Sequence, residues 1–433
     1  MEIRFEKQVF KPYEGCPPSA PLAALCGRNG GRMKLRKILP IVICAVILIT
    51  VFTGCSKETE DASPEETPTQ MLEPTPSEPV VDTDPEPAQS HGIDFDAAFA
   101  AFAPDTIMMN VGDYTIKWAE LYFYIRNNIN GILQYGDIHD WSDIVYEDMT
   151  YADLVLNYSI ESAMMYKAVE FGVDLYGVTL SADVIDVINA SFENNAMQFG
   201  GEEEFLKILW EYDGISSREL FDYMVSINHL VNALLVEMYG ENGELLSDED
   251  VAEYTMFDGY LMAKHILRMK TEEDEDTALT EAEEILAQLE GYEGDDFESF
   301  FDELMREHTD DSEALVTHPN GYLFLSDDMV PEFYSACAAL EIGEFSSIVE
   351  TSYGYHIIYR KPVDFDEIPI YYYQQYVYGA ISQDEYSKMI LRNTTALSMF
   401  DSELYGWMNS LNVEYTDAYE SMEFAKVFDV GEY

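Results

Sequence analysis

The sequence predicts an α+β fold, with one compact domain of strands and helices flanked on both sides by mainly helical chain. Residues 260–267 and 351–358 each have the pattern of a short strand that contains a histidine. Between them, three segments place apolar residues at i, i+3, i+4 and i+7, the spacing of one helix face. These segments are 282–289, 297–304 and 330–337. The whole order spans about 100 residues, the usual size of one compact domain.

The two histidine-containing strands are predicted to turn their histidines towards a core. Side chains alternate between the two faces of a strand. Ala263, His265 and Leu267 therefore share one face, and His356 shares a face with Ile358. Both histidines alternate with apolar neighbours, as residues on a core-facing side do.

The composition limits the function before any motif is considered. The chain has 433 residues, 47% of them hydrophobic, which predicts two or three domains with ample cores. Its 83 acidic residues against 23 Lys and Arg give a formal net charge of -60. Nucleic-acid binding needs a basic surface, so this charge argues against a nucleic-acid partner. A solvated, aggregation-resistant surface is one interpretation of the acidity, and attraction of basic clients is the other.

Residues 1–54 are predicted to be an N-terminal extension followed by a signal peptide similar to that of bacterial lipoproteins. A basic segment begins at Met33, residues 38–51 are apolar, and Phe52-Thr-Gly-Cys55 resembles a lipobox. The apolar stretch is shorter than the roughly 20 residues of a membrane-spanning helix. This favours a cleaved signal and lipid attachment at Cys55. An uncleaved anchor helix is the alternative.

The next segment, residues 55–93, is predicted to be a disordered tether. It is rich in Pro, Glu and Thr and has few large apolar residues, so it cannot bury enough surface to fold.

Translation is expected to start at Met33 rather than Met1. Of the five cysteines, only Cys55 and Cys337 follow the signal, so no disulfide framework is predicted. Cys337 lies on an apolar helix face and is expected to be a core residue.

Residues 94–256 are predicted to be mainly helical. A tight hairpin around Gly112 and Asp113 leads into a helix from Trp118 to about Gln134. Further helix patterns cover 151–171, 181–198, 203–210 and 216–239. Ser181 and Ser247 each precede acidic residues and are predicted to cap helix starts.

Residues 364–433 begin with connector sequence and an aromatic run over 371–378. A helix pattern follows over 383–409. The aromatic run and the apolar helix faces before residue 240 each lack a partner within their own segment. We therefore expect them to bury each other.

The central segment resembles the parvulin-type peptidyl-prolyl isomerases, because it contains the sequence words of that family in the family's order. The words are Ala263-Lys-His-Ile-Leu267, Phe297-Glu-Ser-Phe-Phe-Asp-Glu-Leu304, His308-Thr-Asp-Asp-Ser312, Met329-Val-Pro-Glu-Phe333, Leu340-Glu-Ile-Gly-Glu-Phe-Ser346 and Val349-Glu-Thr-Ser-Tyr-Gly-Tyr-His-Ile-Ile358. No single word is specific, but their order is. The hairpin and helices ahead of them are similar to the chaperone region of the PrsA and SurA type.

This resemblance implies that residues 257–363 form a parvulin-like α/β isomerase domain inserted in a mainly helical chaperone domain. Residues 94–256 would be the N-terminal chaperone region, and residues 364–433 would pack back onto it. The implied activity is rotation about Xaa-Pro bonds in unfolded or partly folded exported polypeptides, at the outer face of the cell membrane. No cofactor is implied, and a homodimer is left open.

The resemblance also implies the site residues. His265 and His356 would be hydrogen-bonded deep in the sheet, with Asp311 beside them; Asp310, one residue away, is the alternative register. Tyr353, three residues before His356, would be the remaining member of the catalytic group. No metal site is implied, since the other histidines show no ligand spacing.

The ring of the client proline would sit on Met329 and Phe333, with Phe324 lining the floor. The chain departs from the family where a Gly-Gly-Asp-Leu-Gly block is common and Pro319-Asn-Gly-Tyr-Leu-Phe324 stands instead. Tyr322 or Leu323 would then take the place of the apolar residue that touches proline.

Three functions are compared at this point. The first is a lipid-anchored foldase that isomerises proline bonds, and the intact pair of His265 and His356 favours it. The second is a membrane-anchored holdase in which the parvulin domain is inactive and serves as a scaffold. The third, a solute-binding lipoprotein, would need strands and helices alternating through two lobes, which the sequence does not show.

Overall fold

The computed structural model describes residues 92–270 and 275–431. The predicted signal peptide, the lipid attachment at Cys55 and nearly all of the tether lie outside these residues. The described chain forms two compact units. The helical unit comprises residues 92–174, 179–230 and 407–431, and the sheet unit comprises residues 175–178 and 231–406. None of the described helices combines the length and apolar character that a bilayer crossing needs.

The longer helices fall mainly where the sequence patterns predict them. Their bounds are α1 (Phe95–Phe99), α2 (Trp118–Leu133), α3 (Tyr151–Tyr176), α4 (Ala182–Gln198), α5 (Glu202–Asp213), α6 (Arg218–Tyr239), α7 (Asp248–Thr255), α8 (Glu275–Glu290), α9 (Phe297–His308), α10 (Ala314–Thr317), α11 (Pro331–Ala339), α12 (Ile370–Val377), α13 (Gln383–Tyr386), α14 (Leu391–Ser410), α15 (Asp417–Glu420) and α16 (Phe424–Val427). Ser181 accepts a hydrogen bond from the backbone of Val184 at the start of α4, and Ser247 forms a capping box with Asp250 at the start of α7. Both predicted helix starts are thus confirmed.

The strands form three small sheets in the described residues. Their bounds are β1 (Ile107–Val111), β2 (Tyr114–Lys117), β3 (Ile144–Tyr146), β4 (Met149–Thr150), β5 (Leu261–Met269), β6 (Tyr322–Phe324), β7 (Val349–Glu350), β8 (Gly354–Lys361) and β9 (Val413–Tyr415). The predicted hairpin around Gly112 is confirmed as β1 and β2, and Gly112 turns it with a φ of +57°. A non-glycine residue adopts this left-handed conformation at a cost.

The core of the helical unit is α2. Trp118, Tyr122, Ile125 and Ile129 recur at helical spacing and are fully buried. The C-terminal residues of the chain complete this unit. Strand β9 pairs with β1 in antiparallel fashion, and the indole N–H of Trp141 donates to the carbonyl of Phe428. Chain ends that are far apart in sequence therefore share one core.

The sheet unit is built on a four-stranded antiparallel sheet in the order β6-β5-β8-β7. Strands β5 and β8 pair over their full length, from Met262 opposite Lys361 to Met269 opposite Gly354. Both are central strands, and their side chains are buried on both faces. Helices α8 and α9 cover one face through an apolar cluster that includes Ile266 and Ile357.

Helix α11 covers the other face of the sheet. Ala263, Phe324, Phe333 and Cys337 form its apolar cluster, together with Ile358. Cys337 is fully buried, as expected for a core residue, and burial raises the pKa of its thiol to about 11. The thiol is therefore protonated at neutral pH and is not a nucleophile. This face carries the two predicted site histidines.

The segment after the sheet differs from the sequence expectation in two ways. The aromatic run lies in α12, and Tyr373 packs on His318 within the sheet unit, whereas the sequence led us to expect packing on the helices before residue 240. The helix predicted over 383–409 is broken into α13 and α14. The backbone N–H groups of Leu391 and Arg392 bond to carbonyls of residues 367 and 365, so α14 starts afresh there.

Candidate active site

The two strand histidines lie diagonally across the β5–β8 ladder. His265 is opposite Ile358, and His356 is opposite Leu267. Residues opposite each other in a ladder project from the same face, so the register places both imidazoles on the face covered by α11. Both side chains are buried, His265 at 6% and His356 at 4% relative exposure. The sequence prediction of two core-facing histidines is confirmed.

The two imidazoles join a chain of hydrogen bonds. His265 Nδ1 lies 3.0 Å from His356 Nδ1, and His265 Nε2 lies 3.0 Å from Asp311 Oδ2. At the other end, His356 Nε2 lies 2.9 Å from the hydroxyl of Thr351. The phenol of Tyr322 donates to the same Asp311 oxygen over 2.9 Å. All four imidazole nitrogens therefore have a protein partner.

The chain has one consistent direction when both histidines are neutral. Asp311 accepts only, so His265 carries its hydrogen on Nε2 and accepts at Nδ1. His356 then donates from Nδ1 and accepts at Nε2 from the hydroxyl of Thr351. That hydroxyl oxygen in turn accepts from the backbone N–H of Tyr353. Each group is satisfied, as buried polar groups must be.

The electrostatics of the site keep Asp311 charged and His356 neutral. Burial opposes ionisation of the Asp311 carboxyl, but the bonds from His265 and Tyr322 outweigh it and lower the pKa to about 2. Burial lowers the pKa of His356 to about 3, and repulsion from His265 adds to the effect. At neutral pH, His356 is therefore an uncharged imidazole in dry surroundings, and its neighbour His265 faces the carboxylate of Asp311.

An apolar cup adjoins the histidines. The ring of Phe333 stands edge-on to both imidazoles, with centroids 5.3 Å from His265 and 5.5 Å from His356. Phe324 is fully buried and supports Phe333 from a centroid distance of 5.7 Å. Met329 is partly buried against the same cluster. The structure thus brings together the histidines and the three residues predicted to hold a proline ring.

Comparison with known families agrees with this geometry. The family model of rotamases, described as the PPIC-type PPIase domain, matches residues 264–361. The match begins in β5 and ends in β8, the two strands that carry the histidines. The chain contains a parvulin-type isomerase domain.

Relatives with similar sequences include PrsA foldases. The foldase protein PrsA of Halalkalibacterium halodurans is 31% identical over 233 residues, which is 51% of this chain and 62% of that protein. The PrsA of Oceanobacillus iheyensis is 30% identical over 162 residues, 37% of this chain and 42% of that protein. The chain thus spans from about two fifths to three fifths of the length of these relatives.

Solved structures similar to this chain include PrsA from Bacillus cereus. That structure is 17% identical, with coverage of 66% of this chain and 99% of that one, at a TM-score of 0.28. PrsA from Bacillus anthracis is 20% identical, with coverage of 57% and 96%, at a TM-score of 0.20.

The sequence left open whether Asp310 or Asp311 lies beside the histidines, and the structure of the isomerase domain distinguishes the two. Asp311 is the one that faces His265. The carboxylate of Asp310 instead accepts from the backbone N–H of Met269 over 2.8 Å and from Arg268 over 2.9 Å. Asp310 therefore ties the loop to the end of β5.

Tyr353 is placed differently from the other predicted site residues of the isomerase domain. Tyr353 is 59% exposed, and its backbone N–H rather than its phenol bonds to Thr351. Tyr353 precedes β8, at the turn made by Gly354. Its side chain therefore does not share the strand face that turns His356 towards the core. A catalytic role for the Tyr353 phenol stays a prediction.

Three polar members of the isomerase site were missed by the sequence analysis. Thr351 completes the hydrogen-bonded chain beyond His356. Thr309 accepts from the backbone N–H groups of Leu267 and Asp311 and so holds the Asp311 loop against β5. Tyr322 was considered only as an apolar contact, yet its hydroxyl reaches Asp311. A hydroxyl near a histidine in sequence is too common a pattern to have identified them.

Proposed function

We propose that the chain is a peptidyl-prolyl cis-trans isomerase that acts on exported polypeptides. The observation that carries this proposal is the buried pair of His265 and His356, flanked by Asp311 and adjoining the apolar cup of Phe333 and Met329. The match of the isomerase domain to the rotamase family and the likeness to PrsA foldases support it.

The chemistry of the reaction suits such a site. Resonance flattens the peptide bond and sets a rotation barrier of about 18–20 kcal/mol. An enzyme lowers it by fitting the twisted bond better than either planar form. Phe333 and Met329 would hold the proline ring while the preceding residue turns. The dry surroundings also disfavour the charge-separated resonance form that gives the bond its double-bond character.

The histidines would act without attacking the substrate. All four of their nitrogens already have protein partners, so none offers a free lone pair to a peptide carbon. Asp311 and Thr351 fix the two rings at opposite ends of the hydrogen-bonded chain. The rings thus form a rigid floor under the twisting bond, and no covalent intermediate is required.

The test uses the full chain and a short Ala-Xaa-Pro-Phe-type peptide. The wild type should accelerate isomerisation, and His265→Ala and His356→Ala should each lower kcat/KM by about tenfold or more, the loss expected when the floor of the site is removed. His229→Ala, which changes a histidine of the helical unit, should keep full activity. Unchanged turnover in both site variants would overturn the isomerase proposal.

A holding activity in the helical unit is the second candidate. Helix α4 exposes Ile185, Val187 and Met197, at 47%, 59% and 72% relative exposure. Exposed apolar side chains of this kind can bind unfolded segments. His356→Ala should therefore still suppress aggregation of an unfolded client. Loss of this suppression in Ile185→Ser with Met197→Ser would place it on α4, and no loss would contradict that placement.

We further propose that the protein is held by lipid at Cys55 on the outer face of the cell membrane. The basic segment at Met33, the apolar stretch and the lipobox-like word support this. Metabolic labelling with a radioactive fatty acid should mark the wild type but not Cys55→Ser. Label retained in Cys55→Ser would contradict the proposal.

Light scattering of the detergent-free mature chain would show whether it is a homodimer.

A further inference from the structure

Helix α12 packs on the isomerase domain although it lies outside the residues that match the family. Glu367, just before it, accepts from the side-chain amide of Asn320 over 3.2 Å. Ile370 packs into the apolar cluster under the histidines. The phenol of Tyr373 donates to Glu313 over 3.0 Å. The helix is thus fixed to the loop that carries Asp311 and to the strand beside it.

A row of rings leads from α12 to the catalytic pair. Tyr373 stands edge-on to His318, with centroids 4.7 Å apart and planes at 85°. His318 packs on Tyr322 at 4.7 Å, and Tyr322 packs on His265 at 5.6 Å. Each ring limits the tilt of the next one.

Tyr322 is the member of this row that touches the site chemically. Its hydroxyl donates to the Asp311 oxygen that also faces His265 Nε2. A phenol hydroxyl points in a fixed direction only when the plane of its ring is fixed. The ring of Tyr322 contacts both His265 and His318, so His318 helps to hold the direction in which the hydroxyl points.

The contacts of His318 indicate that the row depends on the packing of its ring rather than on hydrogen bonds of its nitrogens. The Thr317 hydroxyl donates to the carbonyl of Glu313, so in their shared bond of 2.8 Å it accepts from His318 Nδ1. His318 is buried at 5% exposure, and its Nε2 has no hydrogen-bond partner among the described residues. A buried polar atom without a partner costs stability. The packing between two tyrosines offsets that cost.

We propose that His318 and Tyr373 are positioning residues of the isomerase site, and that α12 is part of the catalytic unit. They act through Tyr322, which holds the Asp311 carboxylate against His265. The inference rests on the proposed isomerase function for its kinetic consequence, but not for its structural one. Neither residue touches the substrate, so their effect falls on turnover rather than on substrate binding.

The experiment compares Tyr373→Ala, Tyr373→Phe and Tyr378→Ala in the full chain. Tyr378 follows α12, is 86% exposed and serves as the matched control. Tyr373→Ala should lower kcat by about tenfold and change KM by less than about twofold, because an interaction felt in the transition state is weakened. Tyr373→Phe keeps the ring and should restore most of the turnover. The control should behave as wild type.

A spectroscopic readout separates this inference from the proposed function. The chain has seven histidines, so selective ¹⁵N labelling gives few imidazole signals. Tyr373→Ala should shift the His265 signals, and Tyr378→Ala should leave them unchanged. If the wild type shows no isomerase activity, the proposed function fails, while the His265 shift still tests the positioning role.

Tyr322→Phe covers the case in which Tyr373→Ala does not fold. It removes only the hydroxyl that reaches Asp311 and leaves no void. It should reproduce the lower kcat and the shifted His265 signals. If Tyr322→Phe, or a folded Tyr373→Ala, keeps both wild-type turnover and wild-type His265 signals, the positioning role is refuted.

Discussion

His356 makes the stability of the isomerase domain depend on pH. Burial and the neighbouring His265 lower the pKa of His356 from 6.5 to about 3. Between these values the unfolded chain binds a proton that the folded domain excludes, so the free energy of unfolding falls as the pH drops from 6.5 towards 3. Above pH 6.5 this stability is fully present. Asp311 adds a further loss between its ordinary pKa of 3.8 and about 2.

This pH dependence can be measured by pulsed hydrogen exchange of peptides from β5 and β8 after equilibration in urea. The urea midpoint should fall between pH 7 and pH 5 in the wild type. His356→Gln should flatten that fall, since position 356 then has no titrating group. His229→Gln is the control and should keep the slope. An unchanged slope in His356→Gln would assign the acid response to another group, such as His318, whose pKa burial also lowers.

Gly354 fixes the start of β8, two residues before His356. Its φ is +152°, and a Cβ there would lie 2.2 Å from the carbonyl oxygen of Arg268. Gly354→Ala should therefore destabilise the isomerase domain by more than the roughly 1–3 kcal/mol of an unfavourable backbone conformation alone. Gly343 is a matched control, because its φ is +88° with open space around it. Equal losses in urea midpoint for both alanine variants would contradict the steric explanation.

At the scale of elements, a buried lysine ties three helices of the helical unit together. Lys167 on α3 contacts Glu120 on α2 at 3.1 Å and the phenol of Tyr223 on α6 at 2.7 Å. Glu170 completes the group at 2.7 Å from Lys167. Burial raises the pKa of Glu120 to about 7 in spite of the attraction of Lys167. The cluster thus holds two carboxylates around one cation.

Removing that cation should be costly at alkaline pH. Lys167→Met should lower the free energy of unfolding of the helical unit by about 3–5 kcal/mol at pH 8, the cost of a buried charge left unpaired. The loss should be smaller at pH 5, where Glu120 takes up a proton. All four tryptophans lie in the helical unit, so urea unfolding followed by tryptophan fluorescence reports on it. Lys207→Met, at an exposed ion pair, should lower the urea midpoint far less, because solvent screens such pairs, and an equal loss would contradict the argument.

The elements that sequence predicts well are those set by local signals. The starts of α4 and α7 follow from the caps at Ser181 and Ser247, and α2 follows from its apolar spacing. The elements it misses depend on distant partners. Strand β6 has only three residues and exists because it pairs with β5. The break before α14 exists because Leu391 bonds to the chain near residue 367.

The same division holds in the isomerase site. The strand pattern and the family words predicted His265, His356 and the apolar cup, since the two histidines, Phe324 and Phe333 lie in regular elements. The hydroxyls of Thr351 and Tyr322 could not be predicted, because their roles depend on where side chains end in space. The choice between Asp310 and Asp311 likewise depends on a loop conformation that Thr309 fixes.

At the scale of the whole molecule, the domain boundaries at 256/257 and 363/364 stay predictions, but the contacts indicate how the isomerase domain joins the chain. Arg392 on α14 donates to the carbonyl of Leu246 over 2.9 Å, to Asp248 over 2.6 Å and to Asp366 over 2.7 Å. The first two residues precede the isomerase domain and the third follows it. One guanidinium therefore holds the entering and leaving connectors side by side.

Arg392→Ala should free these two connectors. The side chain is 12% exposed and makes charge-assisted bonds, so its loss should cost about 1.5–3 kcal/mol, the range for hydrogen bonds to charged groups. Arg392→Lys should rescue little, since an ammonium cannot form the same planar fork. Hydrogen exchange over residues 246–250 and 364–368 should accelerate in both variants. Arg306→Ala, at a 65% exposed side chain, is the control and should leave exchange in the connectors unchanged. Protected connectors in Arg392→Ala would show that their packing, rather than this arginine, holds the two ends of the isomerase domain together.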